Sequence, residues 1–148
     1  MTQHVLVPVD GSNPARSAVE YATEQFPDAH LTLLYVINPM ADYSRHRAYP
    51  GYTQEDEYKS EREKGESILE SVRTAIPDSI SVDTELEAGD PARAILRYAD
   101  ETDVSQIVIG SHGRQGPARF LLGSVAEAVV RQSAVPVTVV RSDEDRSH

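Results

Sequence analysis

The residues best suited to chemistry in this 148-residue chain lie between Gly110 and Ser124. Gly110, Ser111, His112 and Gly113 are separated by nine residues from Gly123 and Ser124. Glycine lets backbone amides approach an anion closely, and a helix starting near Ser124 would add unpaired N–H groups and a favourable dipole. The chemistry this arrangement suits is the binding of a polyphosphate. The spacing is not that of a Walker A loop, because no Gly-Lys-Ser/Thr is present, and it is not the G-x-G-x-x-G of dinucleotide folds. Taken singly, each feature has a plainer account. Ser124 with Glu127 forms a capping box, Gly110 would close a strand, and Gly113 and Gly116 would be turn residues. Their joint position after a strand and before a helix is what favours a phosphate site.

Other side chains near this stretch are less specific. Arg114 and Arg119 present planar forks that suit phosphate, but taken singly an exposed arginine balancing nearby carboxylates is the more ordinary arrangement. Asp10 follows an apolar run, where a carboxylate can accept from sugar hydroxyls or act as a turn residue. The five histidines show no metal-ligand spacing. With no cysteine in the chain, disulfides, cysteine-based metal sites and thiol nucleophiles are excluded.

These residues must be positioned by regular elements, and the pattern supplies them. Val5 to Val9 is a short, β-branched, apolar run ending in the turn formers Asp10, Gly11, Ser12 and Asn13, as expected of a buried strand followed by a loop. Asn13 before Pro14 predicts a helix cap, with Ala18, Tyr21, Ala22 and Phe26 recurring at helical spacing. Leu31 to Ile37 predicts a second strand. An irregular stretch from Asn38 to Thr53 follows, in which Tyr43, Arg45, Arg47, Tyr49 and Tyr52 would form a lid or a partner surface. Thr53 and Asp56 suggest the start of a second helix running to about Pro77. Ile80, Val82, Thr84 and Leu86 alternate as a third strand, and Asp90 before Pro91 starts a third helix. Gln106 to Ile109 is a fourth strand, Leu122 to Val130 a fourth helix and Pro136 to Val140 a fifth strand. Alternating strands and helices predict an α/β fold with an open parallel sheet covered on both faces. Ligands of such sheets bind beyond the carboxyl ends of the strands, where strand order reverses. The loops after the first and fourth strands are equipped for that position.

Length and composition bound the rest. The size fits one domain, taken as residues 1–141 with a charged tail over 142–148. No apolar run approaches the roughly 20 residues that cross a bilayer, and Met1 to Asp10 lacks the layout of a signal peptide. A cytoplasmic protein without membrane association is therefore expected. The 24 acidic residues against 14 basic ones, a net charge of −10, oppose attraction to nucleic acid. Only Lys59 and Lys64 are lysines, and the carboxylates are spread along the chain, which points to a halophilic surface screened by high salt.

The glycine stretch matches the G-2x-G-9x-G-[S/T] pattern at Gly110, Gly113, Gly123 and Ser124, and in this the chain resembles the ATP-binding branch of the universal stress proteins. The resemblance includes Val7 to Ser12, Gly89-Asp90-Pro91 and Val135 to Val140; only Asn38 to Glu66 and the tail lie outside it. It implies a three-layer, Rossmann-like fold of the adenine nucleotide alpha-hydrolase-like type, with five strands in the order 3-2-1-4-5. It implies further that Pro8, Val9 and Asp10 border adenine and ribose, with Val36 closing the base pocket. Ile109 would pack on the nucleotide, and Gly110, Gly113, Gly123, Ser124 and Val125 would hold ribose and phosphates. Ser12, His112 and Arg114 complete the candidate set. ATP, or AMP or ADP, would be the cofactor, with Mg2+ carried on the phosphates. The implied role is a nucleotide-dependent stress-response or signalling module, with an unidentified protein partner and a homodimer joined through Pro136 to Val140. The alternatives are a slow ATPase or nucleotidyl-transfer enzyme, and a nucleotide-free member acting through protein contacts. No catalytic residue is assigned, because no dedicated lysine or base is evident near the loop.

Overall fold

Strand β1 (His4–Pro8) sends Val5 and Val7 to one face and Leu6 to the other, and all three are fully buried. Strand β2 (His30–Ile37) repeats the arrangement, with Leu31, Leu33, Tyr35 and Ile37 on the first face and Leu34 on the second. Strands buried on both sides must be apolar at nearly every position, which is why they read as unbroken hydrophobic runs. The computed structural model describes residues 2–38, 54–112 and 122–142. Gly113, Arg114, Arg119, the tyrosines and arginines of the 39–53 stretch, and the end of the tail lie outside them.

The sheet is completed by β3 (Ser81–Ala88), β4 (Gln106–Gly110) and β5 (Val137–Val140), all pairings are parallel, and the order is β3-β2-β1-β4-β5. Class, strand number and order are those expected. At the β3 edge Val82, Thr84 and Leu86 are half-buried while Ser81, Asp83 and Glu85 are exposed, the alternation of a strand with one wet face. Helices α1 (Asn13–Gln25) and α2 (Gln54–Thr74) cover the first face, and α3 (Pro91–Glu101) and α4 (Ser124–Gln132) the second. The result is three layers with a core on each side of the sheet. Burying a Val, Leu or Ile side chain contributes about 1.5–3 kcal/mol. The exposed Arg62–Glu66 and Arg131–Glu127 pairs, at 3.1 and 2.8 Å, fall in the class worth about 0–1 kcal/mol. The sheet faces therefore dominate the stability. Among the described residues no helix is long and apolar enough to cross a membrane.

Local signals mark the helix starts, with one correction. Asp90 caps α3 as expected, accepting from the Arg93 amide at 3.1 Å. The cap of α1 is Ser12 rather than Asn13. The Ser12 hydroxyl accepts from the Ala15 amide at 3.2 Å, and Asn13 is already inside the helix. The tight turn at Asp10 and Gly11 is what brings Ser12 to the extended conformation a cap needs.

His4 and His30 serve the amino-terminal end of the sheet. His4 donates from Nδ1 to the Thr102 carbonyl at 3.2 Å and meets the Thr32 hydroxyl through Nε2 at 2.7 Å, tying the start of β1 to β2 and to the end of α3. His30 bridges to β3 through Ser81 at 2.6 Å and Asp83 at 2.8 Å.

Helix α2 reaches the sheet through a side-chain gap at Gly65. A Cβ there would lie 2.6 Å from the Tyr35 ring and 2.9 Å from Leu86. Gly65→Ala is expected to destabilise the fold by about 1–3 kcal/mol through overpacking, measured as a lowered urea midpoint at unchanged slope.

Candidate functional site

The chain leaves β1 toward β2 and leaves β4 toward β5, so the two central strands send their crossovers in opposite directions. Their carboxyl ends also separate. The β1–β4 register runs through Val5↔Gln106 and Leu6↔Ile107, whereas β1–β2 continues to Pro8↔Leu34 and β4–β5 to Gly110↔Val140. Pro8 supplies a reason. The Val9 amide donates to Leu34 on β2 at 2.9 Å, so the N–H of position 8 would face β4, and proline has none. The strands part into a cleft of about 460 Å3.

One wall is the β1 loop, where Pro8, Val9, Asp10 and Ser12 line the cleft. Asp10 Oδ1 accepts from the Ser12 amide at 2.9 Å, closing a turn in which Gly11 has φ +85°, a conformation that glycine adopts without strain. Asp10 thus holds its own loop through one oxygen while lining the cleft. Ser12 also lines it, but its hydroxyl is engaged as the α1 cap.

The facing wall holds Ile109, Gly110 and His112 after β4, then Gly123, Ser124 and Val125 at the start of α4. Val36 lines the cleft from β2. Gly113 and Arg114 are outside the described residues. The expected capping box at Ser124 is not formed. Gly123 is the cap, without a side-chain hydrogen bond, and Glu127 instead pairs with Arg131 at 2.8 Å. The Gly123 amide donates to the Ser111 carbonyl at 2.7 Å, fixing Gly123 as the cap so that the serine becomes the first residue of the helix. The Ser124 hydroxyl is consequently not spent on capping, and the amides of Ser124, Val125 and Ala126 have neither an intrahelical acceptor nor a side-chain cap. Amides in that state at a helix start attract an anion. The two walls are held in contact by Gly110, where a Cβ would fall 2.7 Å from the Pro14 carbonyl carbon and 2.8 Å from the Ala15 nitrogen.

The cleft has further lining residues that the sequence did not indicate. Tyr35 comes from β2, Asn38 from the residue just past it, Pro91 and Ile95 from α3, and Glu61 from α2. Pro91 belongs to the Gly89-Asp90-Pro91 motif, which the sequence marks as a helix start and as part of the family resemblance but not as a cleft residue. Glu61 had no such signal. It lies in a charged segment where acids are the rule, yet it is buried, and the Tyr35 hydroxyl donates to it at 3.4 Å.

The sequence profile of the Universal stress protein family matches residues 1–141. The universal stress protein YxiE of Bacillus subtilis is 32% identical over 148 residues, covering 95% of this chain and all of that one (100%). Among solved structures, that of the protein MJ0577 superposes with a TM-score of 0.79 at 25% identity, covering 97% of this chain and 98% of the other. A universal stress protein from Archaeoglobus fulgidus, solved in complex with dAMP, shares the fold with a TM-score of 0.62 at 21% identity, covering 95% and 98%.

Gly110→Ala is expected to push α1 away from β4. It should cost about 1–3 kcal/mol by overpacking and perturb the amide resonances of both Pro14-flanking residues and the α4 start, read from two-dimensional NMR spectra.

Proposed function

We propose that this chain, which belongs to the universal stress protein family, binds an adenine nucleotide in the cleft between β1 and β4 and acts as a nucleotide-dependent stress-response or signalling module. The observation that carries this reading is the uncapped start of α4 at Gly123 facing the Asp10 turn across a cleft of about 460 Å3. The division of labour follows from chemistry. Amides and the Ser124 hydroxyl suit phosphates, the Asp10 carboxylate suits ribose hydroxyls, and the apolar Val9, Val36 and Ile109 suit a base. The dAMP complex of the Archaeoglobus fulgidus protein supports an adenine nucleotide. ATP is the form best matched to a multi-amide site, with AMP and ADP as alternatives and Mg2+ carried on phosphate oxygens.

The reading takes residues 1–141 as one cytoplasmic unit, with an acid-rich exterior adapted to high salt. Binding rather than turnover is the function proposed, because among the described residues no lysine lines the cleft to stabilise a leaving charge. Titration of purified protein with ATP and Mg2+ in a calorimeter should give one site per chain. Asp10→Ala and Gly123→Val should each weaken it at least tenfold while the circular dichroism spectrum is retained. Absence of measurable heat, together with no adenine nucleotide in an acid extract of the purified protein, would refute the reading.

The homodimer is proposed on the edge strand β5, whose residues are all half-buried and which, among the described residues, pairs with β4 alone. Val130 on α4 adds an apolar side chain that is 44% exposed. An edge of this kind favours pairing with a second copy. Light scattering should return twice the 16.3 kDa chain mass, and Thr138→Lys combined with Val130→Glu should return the monomer mass.

A further inference from the structure

Two carboxylates line the cleft, and they are differently placed. Asp10 sits on the β1 loop and gives one oxygen to the Ser12 amide. Glu61 reaches the cleft from α2 and is 7% exposed. Among the described residues its one hydrogen-bond donor is the Tyr35 hydroxyl, at 3.4 Å. That is longer than the roughly 2.5–3.0 Å of an ordinary O–H···O bond. A carboxylate has about four acceptor sites, so most of the accepting capacity of Glu61 is unspent. A buried acceptor in that state is unfavourable unless a donor meets it, and the space open to such a donor is the cleft that Glu61 lines.

Charge and topology decide which part of a nucleotide would meet it. A carboxylate repels phosphate, whereas the free amides at the start of α4 attract it. Helix α2 lies on the first face of the sheet, against Tyr35 of β2, and α4 lies on the second face after β4. Strand β1 stands between β2 and β4, so Glu61 and the α4 start approach the cleft from opposite sides. Phosphates drawn to α4 leave the nucleoside turned toward Glu61. Adenosine carries the donors that a carboxylate takes: the amino group of the base and the hydroxyls of the ribose.

We propose that Glu61 is a specificity-determining residue of the cleft, accepting a hydrogen bond from an N–H or O–H donor on the nucleoside half of the ligand. The proposal rests on the nucleotide reading given above. Its consequence is discrimination. An analogue lacking the donor would leave a buried acceptor unpaired, and that penalty is what lets a polar site reject a ligand missing one group. Helix α2 can deliver this residue because the bare backbone of Gly65, one turn beyond Glu61, lets the Tyr35 ring pack directly against the helix.

The test titrates the full chain, in a calorimeter and with Mg2+ present, with ATP, 2′-deoxyATP, 3′-deoxyATP and the triphosphate of purine riboside, which lacks the amino group of adenine. All four carry the same phosphates and metal, so their ratios of affinity report the nucleoside alone. At least one analogue should bind wild type about tenfold or more weakly than ATP, and its identity names the donor. Glu61→Met, which keeps the length of the side chain without an acceptor oxygen, should bring that same ratio to within about twofold. Glu61→Gln, which keeps one carbonyl oxygen, should give an intermediate ratio and serves if the methionine variant does not fold. Glu63→Gln, at an exposed acid of the same helix, should leave every ratio as in wild type. A wild type that binds all four alike, ratios that persist in the Glu61 variants, or a ratio that shrinks equally in Glu63→Gln would overturn the role of Glu61 and leave the nucleotide reading standing. No binding of any of the four by wild type would overturn both.

Discussion

Parallel neighbours can be joined only by crossovers, and in the order β3-β2-β1-β4-β5 the crossovers that leave β1 and β4 must diverge. The site depends on that constraint. Burial of β1 on both faces locks the strand in the middle of the sheet, and Pro8 withholds the N–H that would have extended its pairing toward β4. The cleft is therefore a product of topology and one missing donor, and needs no large side chain to hold it open.

What lines the cleft follows the same economy. Its anion-attracting element is the backbone at the start of α4, made available because Gly123, which has no side chain to offer, occupies the cap. Its opposite wall is a turn that stabilises itself, since Asp10 accepts from the Ser12 amide and Ser12 in turn caps α1. Each local hydrogen bond thus fixes a residue at the cleft before any ligand arrives. This preorganisation reduces the ordering cost of binding.

Helix α2 introduces the opposing element. Its amino-terminal half carries Glu57 and Glu61 into burial beside a cleft whose other end attracts anions. A phosphate and a buried carboxylate pair disfavour each other unless positive charge intervenes.

The sequence by itself determined the α/β class, the position of every strand to within two residues, the Asp90 cap and the two loops that form the cleft, because these depend on short-range periodicity and turn chemistry. The strand order and most residues of the two cleft walls were legible through the spacing of Gly110, Gly113, Gly123 and Ser124 and the resemblance it carried, not through hydropathy. The choice between Asn13 and Ser12, and between Ser124 and Gly123, was open in the sequence, since several residues in each place can cap. The tertiary structure decided it through the Asp10 turn and the Gly123–Ser111 hydrogen bond. Glu57 and Glu61 were invisible among the acids of α2, because the spacing that marks a buried face is the same for solvated charges. Only the packing of that helix against Tyr35 distinguished the two that leave water from those that remain in it.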